Sequence, residues 1–249
     1  MIPDAARLHE ALEATWPAAG GEIIGPFHLR RGEGGGQRVS AATWSGSAGL
    51  FDARTAEDWL PKAQAKMSSW GQPPLFRLRE DEVALDTYLD DRAYVPRDAT
   101  RLLAVSVAQL LTQDIPPTSV FPAPVTMAIC REFWREGGVT QGRMAVIDRA
   151  PPPAIALLGR HEDTPAGVGL AAIDGKIAMV HALYLRPAFR RQGVARHMMH
   201  QAAQWAASHG AETLAVAVVA ANAPAVSLFQ RLGMVDCGGY QYRVAPEPG

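Results

Sequence analysis

The chain has 249 residues, 48% of them apolar and 20% charged, and its 24 Lys and Arg against 25 Asp and Glu leave a formal charge of −1. That balance suits a soluble chain able to bury a substantial core. It supplies neither the basic footprint expected of a nucleic-acid binder nor a polybasic membrane anchor. Cys130 and Cys237 are the only cysteines, too few for a disulfide framework and without metal-ligand spacing. The segment Met1 to Glu10 is charged and lacks an apolar signal core, and the longest apolar run, Thr213 to Ala221, is too short to span a bilayer. A cytoplasmic protein is expected.

In chain order, the apolar spacing predicts a helix over Ala5–Trp16, then strands near Glu22–Arg31 and Gln37–Trp44 joined by the glycine-rich Gly32–Gly36. A glycine-rich loop holds phosphate only when a helix N-terminus stands directly behind it. The alternation of Val39 and Ala41 with Ser40 and Ala42 favours a strand there, hence a hairpin loop. A helix over Thr55–Trp70, a strand at Leu75–Leu78, a helix over Glu82–Asp91 and a strand pair near Tyr94–Leu110 complete the first half. Pro116, Pro117, Pro122 and Pro124 then crowd one short stretch, which reads as a linker because proline disrupts helix interiors and sheet ladders. The expected division is residues 1–115, a linker at 116–125, and 126–249.

The second half predicts helices over Thr126–Glu136, stopped by Gly137 and Gly138, and over Gln141–Arg149. Three strands follow at Ala154–Arg160, Gly167–Ile173 and Lys176–Leu185, with Asp174-Gly175 as a hairpin turn. A helix over Val194–Ser208 carries an apolar stripe of Val194, Met198, Ala202 and Trp205. A buried strand at Thr213–Val219, a helix over Pro224–Leu232 and a closing strand pair within Met234–Val244 end the chain. In both halves a helix precedes a strand, a second helix and closing strands, the pattern of a duplicated α/β unit.

The chemistry concentrates in His181-Ala-Leu183-Tyr-Leu185-Arg-Pro-Ala-Phe-Arg190-Arg191-Gln192-Gly193-Val194-Ala195-Arg196. A strand ends, a short turn follows, and a long helix begins. Helix N-termini present unpaired N–H groups and the positive end of a dipole. Gly193 lets a phosphate approach the backbone, Ala195 keeps bulk away, and Arg190, Arg191 and Arg196 add positive charge. These features describe a pyrophosphate site, with an ordinary turn bearing solvated arginines as the alternative.

Arg190-x-x-Gly193-x-Ala195 after such a strand resembles the coenzyme A loop of the GNAT (Gcn5-related N-acetyltransferase) superfamily. The wider run from His181 to Gly193 is particularly similar to arylalkylamine N-acetyltransferases. A second family motif follows as Asn222-x-x-Ala225-x-x-Leu228-Phe229-x-x-Leu232-Gly233-Met234. The resemblance covers about residues 126–244. It implies an acyl-CoA N-acyltransferase fold, a mixed central sheet with flanking helices, and the duplicated pattern then predicts two tandem units of which the first is degenerate. It implies acetyl-CoA as cosubstrate and an amine as acceptor, joined in a ternary complex without metal. Main-chain groups of Leu183 and Leu185 would pair with pantetheine, and N–H groups from Gln192 to Arg196 would hold the pyrophosphate. Asn222 would bond the pantetheine, with Ala225 and Phe229 lining it.

Alternation places Met179, His181, Leu183 and Leu185 on one strand face. His181 is therefore the candidate base, since an alkylammonium must lose a proton before attack and histidine titrates near neutrality. The resemblance departs at two places. Met179 stands where the arylalkylamine enzymes have a second histidine, and Phe229 stands where the family has a tyrosine that protonates the thiolate. Tyr240, Tyr242 and Ser227 are the substitutes in view. Other readings are a non-catalytic acetyl-CoA sensor or an acetyltransferase acting on a protein or peptide N-terminus. His197 and His200 read as a solvated helix face, and Trp134, Arg135 and Glu136 as residues near the acceptor pocket.

Overall fold

Capping side chains and apolar stripes set the first helix. In the computed structural model, which describes residues 2–45 and 51–246, Asp4 accepts the Arg7 N–H at 2.8 Å and starts α1 (Ala5–Thr15). Leu8, Ala11, Leu12 and Thr15 bury one of its faces. The chain continues through β1 (Gly20–Ile24), β2 (Phe27–Arg31), α2 (Gln37–Ser40), β3 (Thr43–Trp44) and α3 (Ala53–Ser69). Then come β4 (Leu75–Arg79), α4 (Val83–Asp90), β5 (Val95–Ser106), α5 (Val107–Leu110) and β6 (Val120–Ala123). The remaining elements are α6 (Ala128–Glu136), α7 (Gln141–Arg149), β7 (Ala154–His161), β8 (Thr164–Asp174), β9 (Ile177–Leu185), α8 (Val194–Ser208), β10 (Thr213–Val219), α9 (Ala223–Arg231) and β11 (Val235–Val244). Strands and helices are interspersed in an α/β chain, and the sheet is mixed: β10 runs parallel to β9, whereas β9, β8, β7 and β6 pair antiparallel.

The chain folds as two interleaved compact units rather than two consecutive halves. The first comprises Met1–Pro17, Leu102–Val218 and Asn222–Cys237, and the second Ala18–Arg101, Val219–Ala221 and Gly238–Gly249.

In the first unit the strands lie in the order β10-β9-β8-β7-β6. α8 packs on one face with Val194, Met198, Ala202 and Trp205 all buried, as their spacing predicts. It comes close because Gly159 has no side chain: a Cβ there would sit 2.6 Å from the Met198 sulfur. α1 joins this unit. Its Arg7 pairs with Asp174 at 2.6 Å, and Thr15 bonds His181. The second unit has a three-stranded antiparallel sheet, β1-β2-β3, and an antiparallel pair, β4 with β11. Arg243 on β11 binds Asp86 and Asp90 of α4.

Four local expectations differ from the observed chain. Gln37–Ser40 makes one helical turn, with the Ser40 hydroxyl donating to the Gly36 carbonyl at 3.0 Å, and only Thr43–Trp44 forms a strand. A single four-residue turn gives the preceding glycine loop no helix of useful length behind it. The proline-rich stretch is not all linker. Val120–Ala123 pairs with β7 at the end of the sheet order, and an edge strand tolerates Pro122. β5 runs unbroken where a strand pair is predicted, with Asp98 at φ 51° absorbing the irregularity. β11 is likewise one strand. Its Gly238-Gly239 resembles a turn, yet a Cβ on Gly239 would lie 2.3 Å from the Thr100 carbonyl oxygen, so the glycine serves close backbone approach.

Candidate functional site

The parallel register between β9 and β10 runs from the Ile177–Thr213 pair to the Val180–Val216 pair. Past Val180, β9 has no β10 partner among the described residues, so its edge opens there. Arg186 donates its N–H to the Ala166 carbonyl on β8 at 3.0 Å. Strand alternation then turns Tyr184 toward β8, and the N–H and C=O groups of Leu183 and Leu185 toward the open side. The Leu185 carbonyl accepts the Arg190 Nε at 3.3 Å on that side.

A bulge shapes this edge. Val168 pairs with Tyr184, but Leu170 pairs with His181, so Ala182 and Leu183 together face Gly169. Ala182 adopts φ 47°. The extra residue reverses the side-chain parity that simple alternation predicts. Ala178 and Val180 face α8, and after the bulge Leu183 and Leu185 pack on that same cluster. His181 faces the other way, toward α1. The expected common face of Met179, His181, Leu183 and Leu185 is therefore corrected: the bulge separates the first two from the last two.

A cleft of about 1330 Å3 opens beside this edge, within the first unit. Of the residues singled out in the sequence, Leu183, Leu185, Arg190, Arg191, Gln192, Gly193, Val194, Ala195, Arg196, Asn222 and Ala225 all line it. Gly193 is the residue before α8 and has φ 83°, a left-handed conformation that disfavours any side chain. The first intrahelical bond from this end runs from the His197 N–H to the Gly193 carbonyl at 3.0 Å. The N–H groups of Val194, Ala195 and Arg196 thus lack i−4 carbonyl partners at the head of a fifteen-residue helix. Gln192 is steadied by its amide donating to the Ala188 carbonyl at 2.9 Å. Asn222 caps α9, its Oδ1 accepting the Ala225 N–H at 3.3 Å.

His181 and Phe229 are not brought to the cleft. His181 is 4% exposed, lies against the Trp16 ring, and has Nε2 2.9 Å from Thr15 Oγ1. The Thr15 hydroxyl proton is directed to the Ala11 carbonyl at 2.6 Å, so Oγ1 accepts and His181 Nε2 donates. Phe229 is buried in the cluster beneath α8. Among the substitutes for its missing hydroxyl, Ser227 accepts from Arg231 at 2.8 Å, and Tyr240 and Tyr242 are buried in the second unit. Burial pushes the Tyr242 hydroxyl up, whereas neighbouring Arg38 and Arg77 draw Tyr240 down against its burial.

Glu136 is committed to Arg186, which it meets through two bonds of 2.6 and 2.8 Å, and this pairing lowers the carboxyl pKa. Trp134 is fully buried. His200 is buried as well, with Nδ1 2.9 Å from the Leu110 carbonyl, because α5 covers that side of α8. The His197 ring is held below the usual imidazole value by desolvation and by Arg196.

Sequence reasoning missed Tyr184, Phe189, His200 and the Gln109–Gln113 side of the cleft. Tyr184 and Phe189 lie inside the recognised stretch and were findable. Gln109 and Gln113 reach the site through a tertiary contact alone. Among the described residues no group of three or more His, Cys, Asp or Glu is placed to hold a metal, and no helix is long and apolar enough to cross a membrane.

Residues 124–234 match the acetyltransferase (GNAT) family model. The structure is similar to a GCN5-related N-acetyltransferase from Kribbella flavida over 100% of this chain and 98% of that one, at 20% identity and a TM-score of 0.77. A functionally unknown conserved protein from Staphylococcus epidermidis aligns over 90% and 92%, at 9% identity and a TM-score of 0.67. A tandem GNAT protein from the clavulanic acid biosynthesis pathway aligns over 93% and 82%, at 11% identity and a TM-score of 0.62. No curated protein matches the chain. At such identities structural likeness speaks to fold, and the family rests on the matched segment. The chain thus has the α/β fold of GNAT proteins, a mixed central sheet with flanking helices, and carries the match to the GNAT acetyltransferase family model within residues 124–234.

Proposed function

We propose that the protein transfers an acetyl group from acetyl-CoA to the amine of a small molecule, by direct attack in a ternary complex. The observation that carries this reading is the junction of two features in one cleft: the open edge of β9 and the head of α8. The α8 head, with Gly193 and the N–H groups through Arg196, would hold the pyrophosphate, helped by Arg190 and Arg191. Leu183 and Leu185 would pair with the pantetheine as an added strand does. The Leu183 N–H would then face the thioester carbonyl and stabilise the oxyanion of the tetrahedral intermediate. The neutral amine nitrogen forms a bond to the carbonyl carbon, the carbon–sulfur bond breaks, and the proton shed by the nitrogen balances the one taken up by the departing thiolate, so that the N-acetylated amine and coenzyme A thiol are released. The second unit, drawn mainly from the first half of the chain, would be a degenerate partner to this one. The test is thiol release from acetyl-CoA with a panel of alkyl and arylalkyl amines. Turnover with a free amine supports the reading, and acetyl-CoA binding without turnover on a broad panel would sink it.

That second outcome belongs to a non-catalytic acetyl-CoA sensor, which two placements favour: Phe229 has no hydroxyl, and His181 is buried away from the cleft. For the enzyme, His181 therefore enters as a residue that steadies β9 against α1. His181→Ala is expected to lower stability and kcat modestly while leaving the acid limb of the kcat/KM pH profile in place. Loss of that limb would restore the histidine as the base.

A further inference from the structure

We propose that Trp134 is a positioning residue: its indole N–H fixes the bulge that aims the Leu183 N–H into the cleft. Trp134 is fully buried on α6 and donates from Nε1 to the Ala182 carbonyl at 3.0 Å. Ala182 is the bulged residue, held at φ 47°, which few side-chain-bearing residues adopt unaided. A bulge takes its carbonyl out of the ladder, and a carbonyl partly shielded from water needs a donor from elsewhere. The indole supplies it. Phenylalanine would fill much of the same space without that bond. Gly137, just past the end of α6, packs against the Tyr184 ring, where a Cβ would come within 2.7 Å. The end of α6 thus grips β9 on both sides of Leu183.

The geometry has one purpose that plain packing does not need. Without the bulge, Leu183 would share its face with His181, and its main chain would alternate differently against the open edge. With it, the Leu183 side chain lies against α8 and its N–H points toward the cleft. The inference rests on the acetyl-CoA reading, in which that N–H meets the thioester carbonyl.

The test uses the full chain with Trp134→Phe and, separately, with 3-benzothienylalanine at position 134, a near-isostere that replaces the indole N–H by sulfur. Three quantities are compared with wild type: coenzyme A affinity, kcat, and the carbonyl stretch of bound 13C-acetyl-CoA. Coenzyme A has no acetyl carbonyl, so its Kd is expected to stay within about two-fold. kcat is expected to fall at least about ten-fold, less than the hundred-fold or more that outright loss of an oxyanion donor brings. The carbonyl band is expected to move toward its position in free acetyl-CoA. Unchanged kcat and band in either folded variant would overturn the inference, as would a loss of coenzyme A affinity equal to the loss in kcat. If Trp134→Phe fails to fold, the isostere decides. If wild type binds acetyl-CoA without turnover, the band alone decides. If wild type fails to bind acetyl-CoA at all, the functional reading falls and takes this inference with it.

Discussion

Gly193→Glu is expected to abolish acetyl-CoA binding while leaving the protein folded. Gly193 sits at φ 83° directly before α8, where a side-chain-bearing residue pays about 1–2 kcal/mol for the left-handed conformation. Space is not the obstacle, since the nearest atom to an added Cβ is 3.7 Å away on the His197 ring. Charge is the larger effect. A carboxylate at this position would itself take up the free N–H groups of the first turn and repel a pyrophosphate. In a thermal-shift titration at a hundred times its Kd, a native-state ligand stabilises by about 2.7 kcal/mol. Wild type should show that gain, and Gly193→Glu should show none. Gly193→Ala separates the causes, because it carries the backbone strain without the charge and should retain weakened binding. Equal stabilisation of wild type and Gly193→Glu would move the cofactor off this loop.

Arg243→Ala should destabilise the second unit by about 3 kcal/mol, the low end for breaking a buried ion pair because both carboxylates keep some solvent. The Arg243 side chain is 6% exposed. It gives Nε and Nη2 to the two Asp86 oxygens at 2.8 and 2.9 Å, and Nη1 to Asp90 at 2.6 Å and the Tyr94 carbonyl at 2.9 Å. One side chain therefore ties β11 to α4 and to the turn beyond it. The urea midpoint reads the loss. The same pairing gives a pH signature. Hydrogen bonding to Arg243 holds the Asp86 carboxyl below its ordinary value, against a smaller opposing contribution from burial. A carboxyl depressed on folding contributes stability above its unfolded pKa, near 4, and loses it as pH falls through the folded value. Wild type should weaken below about pH 4, and Arg243→Ala should lose that part of the slope. A variant with an unchanged midpoint at neutral pH would refute the assignment.

Legibility in the sequence followed the range of the cause. α7, α8 and β10 have the bounds their spacing predicts, because caps, glycines and apolar stripes lie within the elements themselves. The α8 loop was equally plain, since Gly193 at a strand-to-helix turn is a local requirement. The β9 bulge was not. Alanine at 182 announces nothing, and the group that holds it is an indole 48 positions earlier. That one residue puts His181 on the opposite face from Leu183 and Leu185, where simple alternation predicts a shared one. His200 differs from the predicted solvated face for a similar reason, because its cover is α5, 90 positions away. Pro122 and Gly239 suggested interruptions and instead sit in continuous strands, one at an edge and one against a neighbouring carbonyl.

The docking of α1 on the first unit has a consequence for synthesis. The Thr15–His181 bond spans 166 positions and Arg7 reaches Asp174 across 167. At about 5–20 residues per second, roughly ten to thirty seconds separate the emergence of this helix from that of its partners. Over that interval Leu8 and Leu12 have no strand to cover them. A helix made so long before its partner strands docks late, and the nascent chain must carry an exposed apolar stripe until β9 leaves the ribosome.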